Sequence, residues 1–189
     1  MRTAALSLLN PMNFSDALGD YFSLFGLPRR YTVDPSVLES AYLDVQAKIH
    51  PDRYAHLAEN ERRVAMQWAS HANEGYRILR RPVPRARYLL HLAGIDPQIE
   101  SNTAMPPDFL MRQMLLREAV EEAEQDGDVA TLDNLLRELR RDARAMEQSL
   151  ADDFDVRGDL IAATARVRQL MFLERLQEEI GSALETLEN

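Results

Sequence analysis

The tripeptide His50-Pro51-Asp52 separates two amphipathic stretches, and this arrangement constrains the fold more than any other feature of the chain. Before it, Ser36 to Ile49 places Leu38, Ala41, Tyr42, Val45 and Ile49 on one helical face. After it, Glu61 to Leu79 repeats the pattern with Ala65, Trp68, Ala69, Ala72, Tyr76 and Leu79. Proline disfavours the helical conformation in the residue before it, so Pro51 ends the first helix. The expected structure is two antiparallel helices joined by a loop over residues 51–60, with His50, Asp52, Arg53 and Tyr54 at its start. A plain hairpin turn would more usually carry Gly or Asn there. The composition of this turn therefore asks for a reason beyond chain reversal.

The rest of the sequence also reads as helix. Glycine is sparse at seven residues, β-branched runs are nearly absent, and Ala, Leu, Glu and Arg dominate, which favours an all-α protein. Residues 20–93 read as one unit, with a short helix near Asp20 to Phe25, the hairpin, and a further helix near Arg85 to Leu92 that Gly94 and Pro97 end. Gln98 to Pro107 is polar and proline-bearing and reads as a connection. From Asp108 three long helical patterns follow. The first stops at Asp126-Gly127. The second starts at the N-cap Asp128 and stripes Leu132, Leu135, Leu136, Leu139, Ala143, Met146 and Leu150. The third, from about Val156, carries Leu160, Val167, Leu170, Leu173, Ile180, Leu184 and Leu187. Three such stripes on short loops predict an antiparallel three-helix bundle. The expected division is a tail over 1–19, a helical unit over 20–94, a connection over 95–107 and the bundle over 108–189.

Composition excludes several function classes. With no cysteine, disulfides, thiolate metal sites and cysteine nucleophiles are absent from this chain. No apolar run approaches a membrane span. The stretch after Arg2 is short, is interrupted by Asn10-Pro11 and lacks a signal-peptide cleavage pattern, so a cytoplasmic location is expected. Residues 1–94 hold 12 Lys/Arg against 9 Asp/Glu, whereas residues 95–189 hold 10 against 22. An acidic second half argues against nucleic-acid binding. His50 and Asp52 do not make an active site, because no nucleophile or oxyanion donors converge with them. His56, His71 and His91 show no metal-ligand spacing, so neither a metal nor a cofactor is expected.

The first bundle helix carries an unusual surplus. At about 100° per residue, Phe109, Leu116, Val120 and Ala123 share one face, as a core stripe should. Leu110, Met111 and Met114, with Leu115 beside them, lie on the opposite side, and Glu118 and Glu122 continue that side. A helix with neighbours on one side needs only one apolar stripe, and methionine is favoured on adaptable binding surfaces. Phe172 lies about 140° from Val167, off the seam of its own helix. Two readings stand at this point: the second stripe packs on the other unit, or it binds a partner.

A helix, an HPD turn and an antiparallel helix resemble the J domain, which activates DnaK-type chaperone ATPases. The segments Asp20-Tyr21-Phe22-Ser23-Leu24-Phe25-Gly26-Leu27-Pro28, Asn73-Glu74-Gly75-Tyr76-Arg77-Ile78-Leu79, Arg85-Ala86-Arg87-Tyr88-Leu89-Leu90 and Asp108-Phe109-Leu110-Met111, running on to Leu116-Arg117-Glu118, resemble in order the HscB family. These are J-type co-chaperones of iron–sulfur cluster assembly, and the likeness covers residues 20 to about 187. It implies a J domain followed by a three-helix bundle, and no enzymatic activity. It implies that His50, Pro51 and Asp52, flanked by Lys48 and Arg53, engage an HscA-type chaperone and promote its ATP hydrolysis. It maps Leu110, Met111, Met114, Leu115, Glu118, Glu122 and Phe172 onto the patch that binds the scaffold protein IscU. Lack of the cysteine-rich extension of some eukaryotic relatives points to the bacterial type, and residues 1–19 precede the usual family start.

Two departures accompany the resemblance. The helix before HPD usually presents a basic face, but here Lys48 is accompanied by Glu39 and Asp44, so electrostatic steering is expected to be weak. The position of Leu115 is commonly acidic in the family. The rival readings are a J protein serving a different client, and a helical adaptor with a vestigial HPD.

Overall fold

The computed structural model describes residues 19–49, 59–97 and 107–187. Among these residues every regular element is helical: α1 (Tyr21–Leu24), α2 (Pro35–Ile49), α3 (Glu59–Arg80), α4 (Pro82–Leu92), α5 (Pro107–Asp126), α6 (Val129–Ala151), a π-helical turn (Asp152–Arg157) and α7 (Leu160–Leu187). The chain divides into two compact units, residues 1–89 and 90–189, a division that falls inside α4.

In the first unit α1 is too short to support itself, and it is fixed by its flanks. The Asp20 carboxylate accepts the N–H groups of Phe22 and Ser23 at 2.8 and 3.0 Å, and the Arg29 guanidinium closes on it. Burial alone would raise that carboxyl, but the Ser23 N–H, Arg29 and the Ser23 hydroxyl together hold it below its ordinary value. The Tyr21 ring sits between His71 and Tyr88, with ring centres 4.8 and 4.6 Å away. It passes directly over Gly75, where an added Cβ would meet the ring at 2.7 Å. The expected hairpin stretches are both present as α2 and α3. Tyr42 of α2 stacks on Tyr76 of α3 at 4.2 Å and donates its hydroxyl hydrogen bond to Asn73 at 2.9 Å. Leu38, Ala65, Ala72 and Leu79 are buried where the helical phase predicts. The expected start of α4 near Arg85 is corrected to Pro82, because proline at the first helical position forfeits no hydrogen bond.

In the second unit α6 and α7 pack along their lengths and α5 lies against their flank. Asp128 caps α6 by accepting the Thr131 N–H at 3.0 Å, as its position in the sequence predicts. Leu132, Leu136, Leu139, Ala143 and Leu150 are buried from α6. They face Ala163, Val167, Leu170, Leu173, Leu176, Ile180 and Ala183, the buried residues of α7. Two expectations fail here. The third helix does not start near Val156, which is 77% exposed; the chain instead makes the π turn and ends it at Gly158, at φ 62°. Leu187, expected on the seam, is 39% exposed in the last turn. The turn is held by Asp153, whose carboxylate is fully buried and pairs with both Arg157 and Arg166. The Asp153 carbonyl accepts the Asp159 N–H at 2.8 Å. Asp159 then caps α7 through the Ala162 N–H.

Candidate functional site

The side chains singled out on the first bundle helix occupy one outward face of α5. Leu110, Met111, Met114 and Leu115 are 42%, 66%, 72% and 60% exposed, and Glu118 and Glu122 extend the same exposed side. The opposite side carries Val120 and Ala123, both buried, with Phe109 and Leu116 half-buried. One helix therefore carries a core stripe and a solvent stripe that are both apolar.

Two arginines bracket the buried stripe and fix the rotation of α5 about its own axis. On one side Arg112 forms an ion pair with Asp142 of α6. On the other, the Arg117 guanidinium lies over the Phe172 ring at 5.6 Å, and Phe109 meets that ring edge-on at 5.9 Å and 81°. With α5 tied to α6 on one edge and to α7 on the other, the face carrying Met111 and Met114 is left pointing away from the bundle. Phe172 is half-buried in this arrangement. Its ring packs between Phe109 and Arg117, and Arg117 is only about 20° from Leu110 around the helix. Arg112, Arg117 and Phe109 were not read from the sequence as parts of the site. The signal for the two arginines was their place at the margins of the core stripe.

The other candidate lies at the end of α2. Lys48 is exposed in its last turn, and His50, Pro51, Asp52 and Arg53 lie outside the described residues. Glu39 and Asp44 are exposed on α2 as the sequence implies, and Val37 and Leu43 are exposed beside them, at 51% and 58%. Among the described residues no three His, Asp or Glu side chains gather in a way that would hold a metal ion. Nor is any helix among them long and apolar enough to cross a membrane. His71 has a packing role: burial holds its imidazole below the usual histidine range, and its ring lies against Tyr21.

Residues 105–181, which contain α5, α6 and most of α7, match a family model described as the HSCB C-terminal oligomerisation domain. The chain is 55% identical over 174 residues to the co-chaperone protein HscB homolog of Azoarcus sp. (strain BH72), covering 92% of this chain and 98% of that protein. It is 49% identical to the corresponding homolog of Ralstonia nicotianae, covering 93% and 99%. Among solved structures it resembles the chaperone HscB from Vibrio cholerae, with a TM-score of 0.77 and 34% identity over 89% of this chain and 99% of that one. Human co-chaperone protein HscB shares the fold, with a TM-score of 0.80 at 24% identity over 92% of this chain and 83% of that one. The chain belongs to the HscB family, the non-enzymatic J-domain co-chaperones of iron–sulfur cluster assembly.

Proposed function

We propose that this chain binds an IscU-type scaffold through the outward face of α5 and delivers it to an HscA-type chaperone. In this reading Leu110, Met111, Met114 and Leu115 supply the apolar contact, Glu118 and Glu122 its polar margin, and Phe172 its border. Residues 20–94 act as the J domain, and His50, Pro51 and Asp52, with Lys48 and Arg53, promote ATP hydrolysis by the chaperone. The protein works in the cytoplasm, without a metal or cofactor of its own.

The observation that carries the reading is the set of four large apolar side chains exposed on a single helix face, 42–72% each. Soluble monomers rarely leave such a contiguous patch without a partner. Covering these four would contribute roughly 1.5–3 kcal/mol each before the costs of association, which is compatible with a transient, micromolar complex. Calorimetric titration with IscU tests it. The triple variant Leu110→Ala/Met111→Ala/Met114→Ala should bind at least tenfold more weakly, and unchanged binding would move the scaffold site elsewhere. In a coupled assay with HscA, His50→Gln should abolish stimulation of the ATPase while leaving IscU binding intact.

A further inference from the structure

A second surface on the bundle has no place in that scheme. Between the Arg117–Phe172 contact and the approach of Leu187 to Gly127, α5 and α7 leave an open groove of about 780 Å³. The two helices run parallel. Phe109 meets Phe172 at one end, and at the other Leu187 reaches within 4.0 Å of where a Cβ on Gly127 would lie. The floor is apolar and made of core residues, Val120, Leu176 and Ala183, at 4%, 1% and 6% exposure. The rims are acidic on both sides, with Glu121 and Glu124 on α5 and Glu178 and Glu179 on α7. Arg117 and Arg175 also line the groove, and Arg117 is already stacked on Phe172. Beside the floor α7 carries small residues, Ser182 and Ala183, and Ser182 turns its hydroxyl back onto the Glu178 carbonyl.

We propose that this groove receives a basic amphipathic helix from a partner protein, which completes the three helices locally as a fourth. The lining on α7 runs from Arg175 to Leu187, about 18 Å at 1.5 Å per residue, room for about three helical turns. Small residues let a helix axis approach within the 8–10 Å of ordinary helix packing. An occupant with Ala or Leu on one stripe would cover the floor. Lys or Arg along both edges of that stripe would face the four carboxylates, a complementarity that favours docking and fixes register. A second copy of this chain is the poorer occupant, since residues 95–189 hold 22 acidic residues against 10 basic ones. The groove residues of α5, Arg117 to Glu124, lie further along the helix than Leu110, Met111, Met114 and Leu115 and meet the scaffold patch only at its Leu110 edge, so the proposal does not rest on that patch.

The test uses the full-length chain and a labelled synthetic helix of about four turns, with an Ala/Leu stripe flanked by Lys, titrated by fluorescence anisotropy. Saturable one-to-one binding is expected, at least tenfold weaker for Ser182→Trp, which fills the groove from an exposed position. A comparable loss is expected for Glu121→Lys/Glu124→Lys/Glu178→Lys/Glu179→Lys, while Met111→Ala/Met114→Ala should bind as the parent does. Circular dichroism of each variant checks that the helices persist, and the charge variant decides the matter if the tryptophan variant does not fold. Binding that survives both groove changes, or that falls with the two methionines, would overturn the proposal. So would a dimer in the ultracentrifuge that Ser182→Trp dissociates, because the occupant would then be a second copy.

Discussion

The two units reach helical packing by different routes. The first relies on individually placed rings and polar groups: Tyr21 between His71 and Tyr88, Tyr42 on Tyr76, Arg85 over Tyr31 at 4.9 Å, and Asp20 with Arg29. The second relies on long stripes of Leu, Val, Ile and Ala along α6 and α7, with one buried carboxylate, Asp153, at the turn between them. The contrast follows from helix length. A four-residue helix such as α1 cannot bury a stripe and needs specific anchors, whereas helices of 23 and 28 residues can amortise the cost of nucleation over many seam contacts. It also bears on function. A bundle whose stability lies along the α6–α7 seam can leave one face of α5 apolar and uncovered.

The largest expected effect tests whether the bundle depends on the buried carboxylate at its π turn as well as on its seam. Asp153→Ala would leave Arg166 without its buried partner and the π turn without its brace. Removing one member of a buried pair typically costs 3–5 kcal/mol. With Arg157 half-exposed, about 3 kcal/mol of stability is expected to go, measured by urea unfolding. A loss below about 1 kcal/mol would mean that the seam alone holds the bundle.

Next in size is Gly75→Ala in the first unit. The new methyl would lie 2.7 Å from the Tyr21 ring, and overpacking of this kind costs about 1–3 kcal/mol. The cost should largely disappear in a Tyr21→Ala background, where the two changes would be strongly non-additive. Additive losses would show that α1 is not anchored through this ring.

These two sites also mark what the sequence conceals. The hairpin, the Asp128 cap and the leucine phase of α6 are all legible, because each is a local pattern of period or capping chemistry. The π turn is only partly legible: Gly158 marks its end, but the pairing of Asp153 with Arg166, 13 residues away, is a long-range contact that no local pattern announces. The closeness of Tyr21 to Gly75 is likewise a long-range contact that no periodicity announces. The double-faced character of α5 was legible as two stripes. Which stripe stays outside is decided by Arg112 pairing with Asp142 and by Phe172 meeting Phe109, and both contacts require the assembled bundle.

A smaller effect separates the units by pH. Burial holds the His71 imidazole below its ordinary value of 6.5, so between the folded and unfolded values the unfolded chain binds more protons. Stability therefore rises as pH increases through the window below 6.5, is complete above it, and declines as pH falls through it. Asp20 and Glu74, held low by their hydrogen bonds, act in a separate window, losing their contribution only below the carboxylate range near 4. Urea midpoints measured from pH 5 to 7 should slope upward in the parent, and His71→Gln should flatten the slope. An unchanged slope would place its origin outside the Tyr21 anchor.

The smallest expected effect on stability bears most directly on the outward face of α5. Met111 and Met114 are 66% and 72% exposed, so trimming them to Ala leaves no cavity and removes little packing. Surface changes of this kind usually stay within about 0.5 kcal/mol, and the melting temperature of Met111→Ala/Met114→Ala should match that of the parent. Phe172 differs, because its ring packs edge-on against Phe109 and under Arg117. Half-buried as it is, Phe172→Ala should cost about 1–2 kcal/mol, less than the 3–5 kcal/mol of a fully buried ring. Thermal melts of the two variants side by side therefore separate the members of the face that only contact a partner from the one that also fastens α5 to α7. Equal losses would show that the methionines pack inside the free protein, and the difference drawn between the two stripes of α5 would collapse.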